Sequence, residues 1–129
     1  MFIKHNPAVM AAPAGLYTHG MEAPANMRWL YISGQVGVRP DGTISNEPKE
    51  QSDQVWQNIH AILQSAGMTF DNLVKFNTYL TSTDYTDDYV AARNARLEGR
   101  KVASTTVFVS ALFRPEWVVE VEAVAAAPT

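Results

Sequence analysis

Glu120 and Glu122 occupy alternate positions of the run Trp117-Val118-Val119-Glu120-Val121-Glu122-Ala123-Val124. In an extended chain, Trp117, Val119, Val121 and Ala123 point to one side and both carboxylates to the other. A carboxylate held in a fixed place can take a proton from water, so this pair is the first candidate for acid–base chemistry. Other chemistries have weaker support. The chain has no cysteine, hence no thiolate nucleophile, thiolate metal ligand or disulfide frame. His5, His19 and His60 share no metal-ligand spacing, and no metal is expected. Ser33-Gly34-Gln35 lacks the GxSxG setting of a nucleophile elbow. Gly34 and Gly37 are not followed directly by a helix, so they form no phosphate loop, and no cofactor is expected. His60 lies beside Ile59 and reads as a boundary residue. His19 follows Tyr17 on the same face of an extended segment, where an imidazole can assist proton transfer or only shape a site.

Composition narrows the setting. At 129 residues, residues 1–129 are expected to form one domain. Apolar residues make up 47% and charged residues 18%, the balance of an ordinary globular protein. The net charge is −3, with no Lys/Arg run, so no nucleic-acid partner is expected, because phosphate neutralisation needs clustered cations. No apolar window is long enough to span a bilayer, and no membrane partner is expected. The segment Pro7 to Tyr17 is broken by Pro7 and Pro13 and reads as part of the domain rather than a leader. Lack of cysteine fits a reducing cytoplasm, the expected location.

The elements that must position these residues can be read in order. Trp29 to Gly37 reads as a strand in which Gly34 and Gly37 mark close backbone approach or a bulge. Pro40-Asp41-Gly42 is a turn. Pro48 suits a helix start; Val55, Ile59, Ile62, Leu63 and Ala66 then form a helical stripe, and Gly67 follows as the stop. Trp56 on this helix reads as packing or a rim contact. Leu73 to Thr81 is a strand with Val74, Phe76, Thr78 and Leu80 on one side and Lys75, Asn77 and Tyr79 on the other. Asp84, Asp87 and Asp88 favour a second helix start, with Gly99 as its stop. Thr105 to Leu112 and Trp117 to Ala126 are expected to close the domain as a pair of strands around Arg114-Pro115. Short strands near Phe2 and Tyr17 complete the sheet.

Two helices for about six strands can cover one face of a sheet only. The other face is expected to carry Trp29, Tyr31, Lys75, Asn77, Tyr79, Phe108, Ser110, Glu120 and Glu122. Aromatics mixed with a few polar groups mark subunit contacts or ligand clefts. The inference is an oligomer with polar pockets where subunits meet; the alternative is a monomer with a half-wetted sheet.

From about Pro13 to Ala125 the chain resembles the YjgF/RidA family. The carriers are Ala12-Pro13-Ala14 with Tyr17, Ile32-Ser33-Gly34-Gln35, Gln57-Asn58-Ile59 to Ala66-Gly67, and Asp71-Asn72-Leu73-Val74-Lys75-Phe76. Asp84-Tyr85, Val107 to Leu112 and Val119-Glu120-Val121-Glu122-Ala123 follow in order. The resemblance implies a chorismate-mutase-like α+β fold, with a mixed sheet of about six strands and two helices packed on one face. It also implies a homotrimer with a small-molecule ligand in each of three clefts between subunits.

Members of that family hydrolyse imines and enamines, such as 2-iminoacids and 2-aminoacrylate, to ketoacids and ammonia without a cofactor. In them an arginine after the second helix grips the substrate carboxylate. The corresponding stretch here is Val102-Ala103-Ser104-Thr105-Thr106, and Ser104 is matched to the arginine. A charge-assisted hydrogen bond is worth about 1.5–3 kcal/mol, and a serine hydroxyl offers one neutral donor in place of a fork. Lys75, Arg28 and Arg114 are the candidate replacement cations. Tyr89 is matched to an asparagine that many members carry early in the second helix. Glu120 matches the glutamate that positions or activates water, and Tyr17 a pocket-lining tyrosine; His19 stands where glutamine is common and would line the same pocket. The expected site is therefore Glu120 as base, with Ser104 or Thr106 donating to the ligand and Tyr17 and His19 lining the cleft. The function implied is a divergent, cofactor-independent imine/enamine hydrolase; the alternative is a non-catalytic trimer binding a small metabolite. An RNA-directed activity, attributed to some relatives, fits poorly with the acidic charge.

Overall fold

The computed structural model describes residues 1–129. Its strands are β1 (Ile3–His5), β2 (Gly20–Glu22), β3 (Met27–Gln35), β4 (Leu73–Leu80), β5 (Ala103–Phe108) and β6 (Val119–Pro128). Its helices are α1 (Pro48–Ser65) and α2 (Thr86–Leu97). The six strands form two sheets rather than one: β1 pairs with β2, and the others run in the order β3-β6-β4-β5. β6 is antiparallel to both its neighbours, whereas β5 runs parallel to β4 at the edge. The expected pairing of the last two strands is therefore corrected, because β4 lies between them. The connection between them crosses the end of β4 instead, with Val109 N–H donating to Leu80 O (2.9 Å) and Thr81 N–H to Val118 O (3.1 Å).

α1 forms where Pro48 supplies a preset φ at the first turn. It ends in a Schellman motif: Met68 N–H reaches Leu63 O (2.8 Å) and Gly67 N–H reaches Gln64 O (2.9 Å), with Gly67 at φ +67°. Val55, Trp56, Ile59 and Leu63 are fully buried against the sheet. Trp56 is thus core packing and not a rim contact, edge-on to Phe76 at 5.2 Å between ring centres. α2 carries Asp87 and Asp88 in its first turn, where the macrodipole favours anions. It stops at Glu98 and Gly99, both at positive φ.

Both helices lie on one face of the four-stranded sheet. That face presents Ile32 of β3, Phe76, Thr78 and Leu80 of β4, and Val119, Val121, Ala123, Ala125 and Ala127 of β6, all buried. Tyr89 of α2 is 1% exposed in this layer, and its hydroxyl is hydrogen-bonded to Thr78 Oγ1. Burial pushes its phenol up to about 12. Tyr89 therefore belongs to the core under the sheet and does not reshape a cleft. Gly37 permits β3's continuation to touch α1: a Cβ there would lie 2.7 Å from the Cα of Gln51. Gln51 is buried and fully used, donating to Ser45 O and Glu116 O and accepting from Val118 N–H.

Candidate functional site

The face away from the helices is open. It carries Trp29, Tyr31 and Ser33 from β3, Glu120, Glu122 and Val124 from β6, and Lys75, Asn77 and Tyr79 from β4. Trp29 is 48% and Tyr31 76% exposed, so large aromatic surface meets solvent in the isolated chain.

The two glutamates differ in their engagements. One oxygen of Glu122 accepts hydrogen bonds from Asn77 Nδ2 (3.1 Å) and the Tyr79 hydroxyl (2.9 Å). Tyr79 is raised above the ordinary phenol value, first because Glu122 holds its proton, then by desolvation and by the charges of Glu122 and Glu120. Glu120 makes no hydrogen bond or ion pair within the chain, in contrast to Glu122. Its carboxylate lies across Gly34, where a Cβ would stand 2.7 Å from its Cδ and 3.1 Å from its Cγ. The β3–β6 ladder is bulged at this point: Ile32 pairs with Ala123 and Gln35 with Val121, so Ser33 and Gly34 together oppose Glu122. Bulge and glycine together make a seat for the free carboxylate.

Beside this seat is a depression of about 320 Å³. Tyr31, Ser33, Lys75, Asn77, Glu122 and Val124 are among its walls. Glu120 is not, and stands one pleat farther along β6. Asn77 Oδ1 is buried and has no donor. Lys75 is the cation brought to this face. Arg28 is turned away and donates to Ala66 O (2.6 Å) at the end of α1. Arg114 stacks on the Trp117 ring at 5.8 Å, in the connection before β6.

The register of β5 sets which side of the sheet each of its residues takes. Ser104 pairs with Phe76 and Thr106 with Thr78, so both share the helix side of the sheet. Thr105 pairs with Asn77 and Val107 with Tyr79, and these reach the open face. Phe108 pairs with Leu80 and likewise leaves the face assigned to it. Within one chain Ser104 and Thr106 are not brought to Glu120, and Thr105 is the β5 hydroxyl residue on the side of Asn77.

Tyr17 and His19 sit in the segment before β2, edge-on to each other at 5.7 Å. The Tyr17 hydroxyl accepts from Ala14 N–H (3.3 Å), and His19 Nε2 is bonded to Ala11 O (2.8 Å). Between them Thr18 is buried and its N–H donates to Val102 O (3.3 Å), docking the segment beside the start of β5. Within one chain their partners are local, and neither contributes to the depression beside Glu122. Gly34 as the seat of Glu120 was signalled by a glycine inside a strand, although not what would approach it.

The family model described as endoribonuclease L-PSP matches residues 8–127. A solved structure from Yersinia pestis, a protein of unknown function of the conserved Rid family, superposes with a TM-score of 0.86 at 29% identity, covering 98% of each chain. A RutC family protein of Pyrococcus horikoshii is 30% identical over 118 residues, 88% of each chain. The mouse 2-iminobutanoate/2-iminopropanoate deaminase is 30% identical over 116 residues, 88% of this chain and 84% of that one. Other matches are partial: the chain aligns with 54% of a RutC family protein of Aquifex aeolicus and with 42% of the Escherichia coli RutC family protein YjgH.

Proposed function

The chain belongs to the endoribonuclease L-PSP family, also called YjgF/RidA, and from that premise we propose that it hydrolyses a small imine or enamine to a carbonyl compound and ammonia. Glu120 is the base in this reading. Water adds to the imine carbon while Glu120 takes one of its protons and returns it to the nitrogen. The hydroxyl of the resulting carbinolamine then passes its proton to the nitrogen through the same carboxylate as the C–N bond breaks, leaving the carbonyl compound and ammonia. The observation that carries the reading is the difference between the two glutamates. Glu122 is occupied by Asn77 and Tyr79, whereas Glu120 has both oxygens free and lies over Gly34. The name of the mouse relative supports the reaction class.

The open aromatic face supports assembly as a homotrimer, which this reading places in the cytoplasm. Closing the face against other copies would remove Trp29 and Tyr31 from water and lower the dielectric around Glu120. Tyr17 and His19 line the completed cleft from the N-terminal segment. No helix is long and apolar enough to cross a membrane.

A second reading, a trimer that binds a metabolite without turning it over, is favoured by one feature. At the position matched to the family's arginine β5 holds Ser104, with one neutral donor, and Thr105 beside it on the open face adds no charge, so no fork onto a carboxylate is offered. The test generates imines in situ with an oxidase and follows their lifetime by semicarbazide trapping. Faster clearance than the uncatalysed rate supports hydrolysis; unchanged clearance of carboxylated and carboxylate-free imines alike leaves the binding reading.

A further inference from the structure

Beyond the reaction class, we infer that the cleft selects a cationic ligand without a carboxylate: a protonated imine (iminium) or its amine analogue. The inference rests on the open face being the ligand site, as in the proposed function, and concerns what that site accepts. Three observations converge. The open face carries two carboxylates, Glu120 and Glu122, against one ammonium, Lys75, because Arg28 is spent on the end of α1 and Arg114 on Trp117. Glu120 has neither a donor nor a counter-ion in the chain, and a half-buried carboxylate without a partner is an acceptor awaiting a donor. Asn77 lines the depression, and its Oδ1 is a second acceptor, buried without a donor.

An iminium answers all three. Its N–H groups donate, its charge opposes the two carboxylates, and it brings no acceptor to compete with them. A 2-iminocarboxylate brings its own anion to a face already in negative excess, with Lys75 as the single point charge to offset it. Thr105 adds a hydroxyl, which donates to an anion far more weakly than a guanidinium. Aromatic surface from Trp29 and Tyr31 flanks the face and favours a cation over an anion, because ring faces are negative. In the hydrolysis of such a ligand one C–O bond forms from water and one C–N bond breaks. No electrons are transferred, and the products are an aldehyde or ketone and ammonium. The reaction that supplies this substrate is the oxidation of a primary amine.

The decisive experiment compares two flat ligands of one shape and opposite charge, benzamidinium and benzoate, titrated calorimetrically into the full-length protein in its native assembly. Benzamidinium is expected to bind at least ~10-fold more tightly, one favourable charge contact at a partly buried site. Glu120→Gln is expected to erase most of that preference. Benzoate binding as tightly or more tightly overturns the inference. So does binding of neither at millimolar concentration, or benzamidinium binding indifferent to Glu120→Gln. Turnover is scored separately, with imines made from phenethylamine by an amine oxidase and from phenylalanine by an amino-acid oxidase. Charge-selective binding without clearance of either imine sinks the hydrolysis reading while leaving the ligand class standing. Faster clearance of the carboxylated imine overturns the ligand class while leaving hydrolysis standing.

Discussion

Replacing Gly34 with alanine is the smallest change that moves Glu120 without touching its chemistry. The new Cβ would overlap the Glu120 Oε2 and stand 2.7 Å from its Cδ, where ordinary contact begins near 3.4 Å, so the carboxyl group must swing away by well over about 0.7 Å. The obstructing atoms are the far end of a flexible side chain, and Gly34 does not lie at positive φ, so the backbone accepts alanine without strain. Stability should therefore change by less than about 1 kcal/mol in either direction, because alanine also restricts the unfolded chain. Catalysis is far less tolerant: a misplacement of about 1 Å can cost on the order of 10²-fold. Gly34→Ala should accordingly lower kcat for the carboxylate-free imine by ~10–100-fold while thermal melting and assembly mass stay at wild-type values. The assay is semicarbazide competition under oxidase-limited imine supply, with melting followed on the same samples. Wild-type kcat in Gly34→Ala would refute the seat. So would a further loss when Gly34→Ala is added to Glu120→Gln, because the glycine would then act through something other than the carboxylate.

The register of β5 separates two arginine substitutions. Thr105→Arg should place a guanidinium beside Asn77 on the open face and raise clearance of 2-iminoacids made by an amino-acid oxidase; no gain would show that more than this cation is missing. Ser104→Arg puts the charge on the Phe76 side and should instead lower stability by about 1–2 kcal/mol in urea unfolding, with no gain of iminoacid clearance. Tyr89 links stability to alkaline pH. Its folded value of about 12 stands above the unfolded 10.0, so its contribution is complete below pH 10 and is lost as pH rises toward about 12. The loss is about 2–3 kcal/mol in order of magnitude. Tyr89→Phe should flatten that alkaline slope and, by orphaning the Thr78 hydroxyl, cost about 1–2 kcal/mol at neutral pH; an unchanged slope would assign it to another group.

What could be read from the sequence depended on contrast between faces. α1 was legible because Pro48, the Val55-Ile59-Leu63 stripe and Gly67 agree on its start, buried side and stop. β6 was legible because glutamates alternate with buried Val119, Val121 and Ala123. β5 offers no such contrast. Thr105, Thr106, Val107 and Phe108 suit either side of an edge strand, and all four are exposed in the single chain. Ser104 and Thr106 were expected in a cleft between subunits because they match the family's arginine stretch, and a strand exposed on both sides says nothing of which side meets Glu120 within one chain. Tyr89 was misplaced for a similar reason: alignment to a polar position suggested a cleft, whereas rotation of α2 buries the ring and satisfies its hydroxyl on Thr78. The neighbour of β5 was hidden because order along the chain favours pairing with β6, and only the long-range pairing of β4 with both strands decides otherwise.

If the free carboxylate of Glu120 is the base, its removal must abolish turnover. Imine lifetime is measured by semicarbazide trapping with wild-type protein and with Glu120→Gln, while light scattering reports assembly. Wild-type protein should accelerate clearance, the variant should lose about 10²-fold or more, and both should show the same assembly mass. Equal clearance by the two proteins, with assembly intact, would contradict that role.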